Sequence, residues 1–428
     1  YARHRPADEQ QCADFTGRLH YLRGAYDHSD SYRTLRERLD ELDRRHHLNG
    51  NRIFYLALPA SEFPEVVRRL SAARLLTPHV RRPWSRVVIE KPFGHDLASA
   101  RELNNLMIER VDEPHIFRID HYMAKETVQN ILALRFANAI FEPIWSRKYI
   151  DHVQITAAEE IGVEWRGRFY EQTGVIRDFV QSHLLEILAL VAMEPPVVND
   201  PDSFRDKKIE ALRSVRCLLP SEVSTHAVRG QYTGYRQEKD VAPDSQTPTY
   251  AALKIYLDNW RWQGVPFYLR AGKRLPARLT EAVIHFQRIP LCLFCKEEAC
   301  ANIAPNTLTL RVQPDEGISL GFMGKVPGDT LEMRPVSMDF RYRTSFDRPP
   351  MDAYERVLLD CLRGDQMLFW RSDGVEAAWR IVTPILEAWD APGGEVPLYG
   401  PDSDGPEAAK ELLRSDGHLW RPIRSQTV

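Results

Sequence analysis

Two kinds of periodicity divide this chain, and the change between them near residue 119 limits its architecture more than any other feature. Before that point, helical and extended patterns alternate. Residues 30–45 place Tyr32, Leu35, Leu39 and Leu42 at helical spacing with charged residues between them. NRIFYLALP (51–59) reads as a buried strand ended by Pro59, residues 61–75 as a helix, and RVVIEK (86–91) as another strand. Such alternation is the mark of a doubly wound parallel sheet. After residue 119, two long helices (125–139 and 175–194) give way to extended stretches at 152–159, 249–258, 267–272, 281–287, 307–313 and 337–343. Strands that follow one another without helices between them favour a broad, mostly antiparallel sheet. The expectation is α/β over residues 1–119, then a larger α+β domain over residues 120–428.

The junction itself is rich in chemistry. Residues 118–126 read RIDHYMAKE. As a helix, this segment would put His121 and Lys125 four apart on one face, with Arg118 a turn earlier. Cations stacked in that way repel unless an anion sits between them, and a phosphate dianion is the natural guest. A solvated basic face is the ordinary alternative. The net charge of −3 gives no general attraction to nucleic acid or anionic lipid, so basic groups must act locally, in pockets. The longest apolar run, LLEILALVAM (184–193), is too short to cross a membrane and contains Glu186. Six cysteines in a chain of this length are no disulfide framework and fit a reducing cytoplasm. Cys292, Cys295 and Cys300 lack a fourth ligand nearby, so they read as free thiols and no metal is expected.

Four further segments accompany RIDHYMAKE: VVIEKPFG (87–94), GVIRDFVQSHLLEILALVAME (174–194), PFYLRAGKRLPAR (266–278) and RVQPDEG (311–317). In this order the five closely resemble the glucose-6-phosphate dehydrogenase family. FYLALPA (54–60), ILALRFANAIFEPIW (131–145), DAYERVLLD (352–360), FWRSDGVEAAWRIVTP (369–384) and LYGPDSDGP (398–406) agree. The resemblance runs from about residue 15 to the C-terminus.

It implies a Rossmann-like coenzyme domain, then a domain whose sheet carries helices on one face. It also implies oxidation of glucose 6-phosphate to 6-phospho-glucono-1,5-lactone with hydride transfer to NADP. His183 matches the family's base, and histidine suits that task at neutral pH. A base needs a carboxylate to orient its ring. Asp178 lies five residues away, about 140° around an α-helix, so Asp120 is the better partner and the family assigns its counterpart that role. By resemblance, Asp178 and Glu159 accept bonds from sugar hydroxyls, though Asp178 also suits a helix N-terminus. His121, Tyr122 and Lys125 would hold the phosphate, with Lys273, Arg278 and Gln313 adding contacts. Lys91 would reach both sugar and coenzyme, and Ala57, Leu58 and Pro59 would line the coenzyme site. A homodimer or homotetramer is implied.

Two departures stand out. Met123-Ala124 occupies a place where the family usually has Leu-Gly. Gly17, Gly24 and Gly50 do not form the Gly-rich turn that cradles dinucleotide phosphates. The chain thus reads as a fragment without its first βαβ unit, expected to bind the dinucleotide poorly, and its choice of NADP over NAD cannot be read. Two alternatives stay open: a non-catalytic sugar-phosphate binder lacking a working dinucleotide site, and a hexose-6-phosphate enzyme of a lumenal compartment.

Overall fold

The computed structural model describes residues 8–77, 83–291, 303–329, 332–346, 351–391 and 393–424. The chain falls into two compact units, Tyr1–Val87 with Leu106–Ile116, and Val88–Asn105 with Phe117–Val428.

The first unit holds β1 (Arg52–Leu56) and the start of β2 (Ser85–Ile89), which continues into the second unit, as does β3 (Ile116–Arg118). The sheet order is β1-β2-β3. Arg52 N–H bonds Trp84 O before the first two strands (3.0 Å), and Ile119 N–H bonds Ile89 O past the last two (3.0 Å). Start meets start and end meets end, so the strands are parallel. β1 was expected to be buried, yet only Leu56 is; the rest of the strand is half-exposed. Among the described residues it is the edge of the three-stranded sheet, and an edge strand has a neighbour on one side only. Helix Phe63–Ala72 buries Phe63, Val66, Val67 and Leu70, one stripe at helical spacing.

The second unit is built on nine strands: β4 (Ile150–Ala158), β5 (Ala227–Tyr232), β6 (Tyr250–Ile255), β7 (Phe267–Gly272), β8 (Leu279–Phe286), β9 (Thr307–Gln313), β10 (Gly317–Lys325), β11 (Met333–Arg341) and β12 (Leu398–Tyr399). Their order is β11-β10-β9-β8-β4-β7-β6-β5-β12. Neighbours are antiparallel except β4 with β7 and β5 with β12. The expected strands correspond to β4, β6, β7, β8, β9 and β11. β5 and β10 carry glycines, which weaken strand propensity, and pairing with neighbours overrides that weakness.

Alternation along β4 and β7 gives the sheet two different faces. Val153, Ile155, Phe267 and Leu269 are fully buried on one, against the helical stretch that follows Ile176. On the other, Gln154 and Arg270 grip the C-terminal segment: Gln154 Nε2 donates to Leu419 O (2.8 Å), Arg421 N–H to Gln154 Oε1 (2.9 Å), and Arg270 Nη2 to Arg421 O (2.9 Å). Helices were expected on one face only; here helix Glu407–Arg414 joins a tyrosine-rich core with Tyr232, Tyr250, Tyr268 and Tyr399, with Trp420 packed against it.

Three other expectations change. RIDHYMAKE is no helix: Arg118 ends β3, residues 121–124 form a turn, and Lys125 is the N-cap of helix Glu126–Phe136, which was expected to span 125–139. The helix expected at 175–194 follows a non-helical Gly174 (φ 58°, ψ 178°), winds as a π-helix over Ile176–Leu184, and takes α geometry over Leu185–Ala192. Cys292, Cys295 and Cys300 lie outside the described residues. Among the described residues no helix is long and apolar enough to cross a membrane.

Candidate active site

The second unit gathers most of the expected site residues at one end of the central strands of its sheet. Glu159 follows β4, Lys273 follows β7, Arg278 precedes the antiparallel β8, and Gln313 ends β9. Lys91 follows β2, Asp120 follows β3, and the π-helix supplies Asp178 and His183.

At the centre, His183 Nδ1 lies 2.6 Å from Asp120 Oδ1, with the two side chains 2% and 0% exposed. Lys91 Nζ lies 2.8 Å from His183 Nε2. An ammonium can only donate, so Nε2 is the acceptor and the ring proton sits on Nδ1, facing Asp120. The same ammonium donates to Asp178 O (2.7 Å) and Asp178 Oδ1 (3.1 Å), which occupies all three of its protons. The π-helix corrects the argument from α-helical spacing. Its hydrogen bonds link residues five apart, so Asp178 and His183 share a face and meet at Lys91. Asp178 is still not the orienting partner, because Asp120 holds the other ring nitrogen. Asp120 also accepts the Tyr122 N–H (2.9 Å), which fixes the carboxylate to the turn.

Electrostatics keep this base neutral and its partner charged. Burial lowers the His183 pKa, Asp120 opposes that, and Lys91 adds to it. Burial would raise the Asp120 carboxyl, but His183, with His121 and Lys91, holds it well below the usual carboxylate range. Burial likewise opposes Asp178, whose pKa Lys91 and Lys273 bring below its ordinary value.

Tyr122 joins this centre to a cationic group. Its ring stacks on His183 with centroids 3.8 Å apart, and its hydroxyl lies 3.2 Å from Gln313 Nε2 and 3.4 Å from Thr280 Oγ1. Gln313 Oε1 accepts from Lys125 Nζ (2.5 Å) and from Arg278 Nη2 (3.4 Å). Two cations thus converge on one neutral oxygen. Burial, and then Arg278, push the Lys125 pKa down to about 8. That arrangement suits an anion bound beside them. His121 sits differently from the expected pairing with Lys125: its ring meets His183 edge-on (4.9 Å) and stacks on Tyr354 (6.0 Å). Burial, and then His183, push it down to about 3, so it serves as a neutral donor or acceptor. Lys273 is buried and ion-paired with Glu159.

Sequence reasoning missed Thr280 and Tyr354. Thr280 pairs with Gln313 across β8 and β9, a register that only the sheet creates. Tyr354 lies in DAYER, a segment that carried the resemblance but suggested no role.

In the first unit, Ala57, Leu58 and Pro59 follow β1, with Ala57 and Pro59 exposed. They stand just beyond the carboxyl end of a parallel strand. Gly17 caps a helix and Gly50 precedes β1 with φ +71°, so neither opens a helix after a strand.

A second histidine group, Asp151, His152 and His418, lies at the opposite ends of β4 and β8. Asp151 Oδ2 lies 2.8 Å from His152 Nδ1 and 3.0 Å from His418 Nε2. Gln154 Nε2, held by Leu419 O, donates to His152 Nε2 (3.1 Å). The His152 proton is therefore on Nδ1, in a closed hydrogen-bond set.

The chain as a whole is similar to known proteins. Family models described as "Glucose-6-phosphate dehydrogenase, NAD binding domain" and "Glucose-6-phosphate dehydrogenase, C-terminal domain" match residues 1–130 and 132–421. Glucose-6-phosphate 1-dehydrogenase of Chlamydia pneumoniae is 45% identical over 425 residues, 96% of this chain and 82% of that protein. Glucose-6-phosphate 1-dehydrogenase 2 of Mycobacterium bovis is 46% identical over 411 residues, 94% and 79% of the two chains. The crystal structure of the Mycobacterium avium glucose-6-phosphate 1-dehydrogenase has a TM-score of 0.84 at 39% identity, covering 98% of this chain and 86% of its own. A glucose-6-phosphate dehydrogenase in complex with glucose 6-phosphate has a TM-score of 0.87 at 33% identity, covering 97% and 85%.

Proposed function

Because the chain belongs to the glucose-6-phosphate dehydrogenase family, we propose that His183, Asp120 and Lys91 carry out its reaction and that Lys125 and its neighbours read the phosphate. The reaction is oxidation of glucose 6-phosphate at C-1 to the 6-phospholactone. When bound, the nicotinamide dinucleotide accepts the hydride. We take it to be NADP, held by Lys91, Ala57, Leu58 and Pro59.

The observation that carries this reading is the hydrogen-bonded line Asp120–His183–Lys91. In the free protein, Lys91 occupies the one ring nitrogen able to accept a proton. The sugar's C-1 hydroxyl takes that place, which releases one Lys91 proton to hold a substrate oxygen. His183 Nε2 then removes the hydroxyl proton as C–H bond cleavage proceeds, and Asp120 stabilises the imidazolium that forms. Asp178, Glu159 and Lys273 fix the sugar hydroxyls; His121, Tyr122, Lys125, Arg278 and Gln313 hold the phosphate. A non-catalytic sugar-phosphate binder has no use for a buried base with its orienter.

The test is the rate of dinucleotide reduction with glucose 6-phosphate and with free glucose, using NADP and NAD in turn. Lys125→Ala should raise KM for glucose 6-phosphate at least about tenfold, the loss of one charge-assisted contact, with little effect on free glucose. Equal effects on both sugars would show that Lys125 does not read the phosphate. The pH dependence has a definite sign. Lys125 loses its charge as pH rises through about 8, while the phosphate stays a dianion above about pH 6. KM for glucose 6-phosphate should therefore climb above pH 8, and Lys125→Arg, which keeps its charge, should flatten the climb.

The exposed edge of the large sheet, where Val336 and Met338 on β11 face solvent, supports association into a homodimer or homotetramer, and the charge and cysteine content support a cytoplasmic setting. A monomer at micromolar concentration by light scattering would count against that assembly.

A further inference from the structure

Behind the base lies a second buried ion pair with no part in the chemistry above. Glu186 is one helical turn beyond His183, at the start of helix Leu185–Ala192 where π geometry returns to α. Its Oε2 meets Lys208 Nζ of helix Pro201–Arg213 at 2.6 Å, with the two side chains 0% and 3% exposed. Glu186 Oε1 has no hydrogen-bond partner, and neither has Asp120 Oδ2. Both carboxylates are thus buried, Asp120 against His183 and Glu186 one turn along the helical stretch that carries His183. Buried pairs of this kind seldom add net stability over apolar residues of the same volume, so stability alone does not account for this one.

Lys208 reaches further. Its ammonium stands 5.3 Å from the ring centre of Trp370. The Trp370 backbone bridges Arg118, with Trp370 N–H to Arg118 O at 3.1 Å and Arg118 Nη1 to Trp370 O at 3.4 Å. Arg118 is two residues before Asp120. Lys208 therefore touches both the helix that carries the base and the segment that pins its orienter.

We propose that Glu186 and Lys208 are a positioning pair for the base, acting through Asp120 and the helix that bears His183. This rests on His183 and Asp120 acting as assigned above. Among the described residues Lys208 is the charged group in contact with Glu186, and Asp120 of the turn acts on it at longer range. Arg135 of helix Glu126–Phe136 reaches Leu190 O, a turn further on, and is paired with Glu142. Burial, eased by Lys208 and reinforced by Asp120, pushes Glu186 up to about 7, so the pair holds between zero and one positive charge in the range where a histidine base titrates.

The pair's two members should therefore act unequally on the base. On the acid limb of the kcat/KM profile Glu186 is already mostly protonated, so Glu186→Gln, which fixes the neutral form, should leave that limb nearly in place. Lys208→Met removes the cation and shifts that limb to higher pH. The Lys208→Met shift should be about half a unit or more, below the 1–3 units of a directly contacting charge. KM for glucose 6-phosphate should stay within about twofold, because neither residue reaches the sugar. A Lys208→Met limb that coincides with wild type or moves to lower pH overturns the proposal, as does an equal shift in Glu186→Gln, even where melting temperatures fall. If Glu186→Gln does not fold, Lys208→Met decides alone: a raised limb supports the pair's role and an unmoved limb overturns it. His183→Asn, measured alongside, separates this from the underlying reading, since near-normal turnover there would remove the base assignment itself.

Discussion

Replacing His183 with asparagine should lower kcat by about two orders of magnitude or more, the usual scale for loss of a general base, while glucose 6-phosphate still binds. Asparagine has no lone pair that can take a proton at neutral pH. The cationic group of Lys125, Arg278, Tyr122 and Gln313 is left in place, and Lys91 keeps its two bonds to Asp178. Asp120 loses its 2.6 Å partner inside the protein, so a cost of about 1–3 kcal/mol in stability should accompany the loss. Turnover by stopped or steady-state assay, binding by calorimetry and a thermal melt separate the three effects. A variant that still turns over at near wild-type rate sinks the assignment.

Asp120→Asn is expected to cost about 10²–10⁴ in kcat/KM, through the tautomer. If the new amide nitrogen faces His183, Nδ1 must accept, the ring proton moves to Nε2, and the nitrogen facing the sugar can no longer take a proton. If the amide oxygen faces it, the tautomer survives but the imidazolium loses its counter-charge. Asp120 raises the His183 pKa against burial, so its removal should also move the acid limb of activity to lower pH. A loss below tenfold with an unmoved profile would falsify the role given to Asp120.

Much of this protein is legible without coordinates because its signals are local. The alternation of strands and helices before residue 119, and the consecutive strands after it, follow from side-chain periodicity, and β7 and β9 begin and end where the pattern places them. His183, Asp120 and Lys91 stand in ordered motifs specific enough to carry a family. Where an expectation rested on ideal geometry, the chain departed from it. RIDHYMAKE has helical spacing, but β3 must end and helix Glu126–Phe136 must begin within it, so it turns instead. A five-residue spacing argued Asp178 and His183 apart, and the π-helix brought them to one ammonium.

What the sequence determined by itself was which chemistry is present: a histidine, its carboxylate, a lysine and a set of cations, each marked by a short motif. What only the tertiary structure decided was which atom faces which. The proton on His183 Nδ1, the convergence of Lys125 and Arg278 on Gln313, Thr280 opposite Gln313, and Lys208 paired with Glu186 all join residues far apart in the chain. Backbone propensity and periodicity act over a few neighbours, whereas these contacts arise from sheet register and helix packing, which are set by the burial of the whole core.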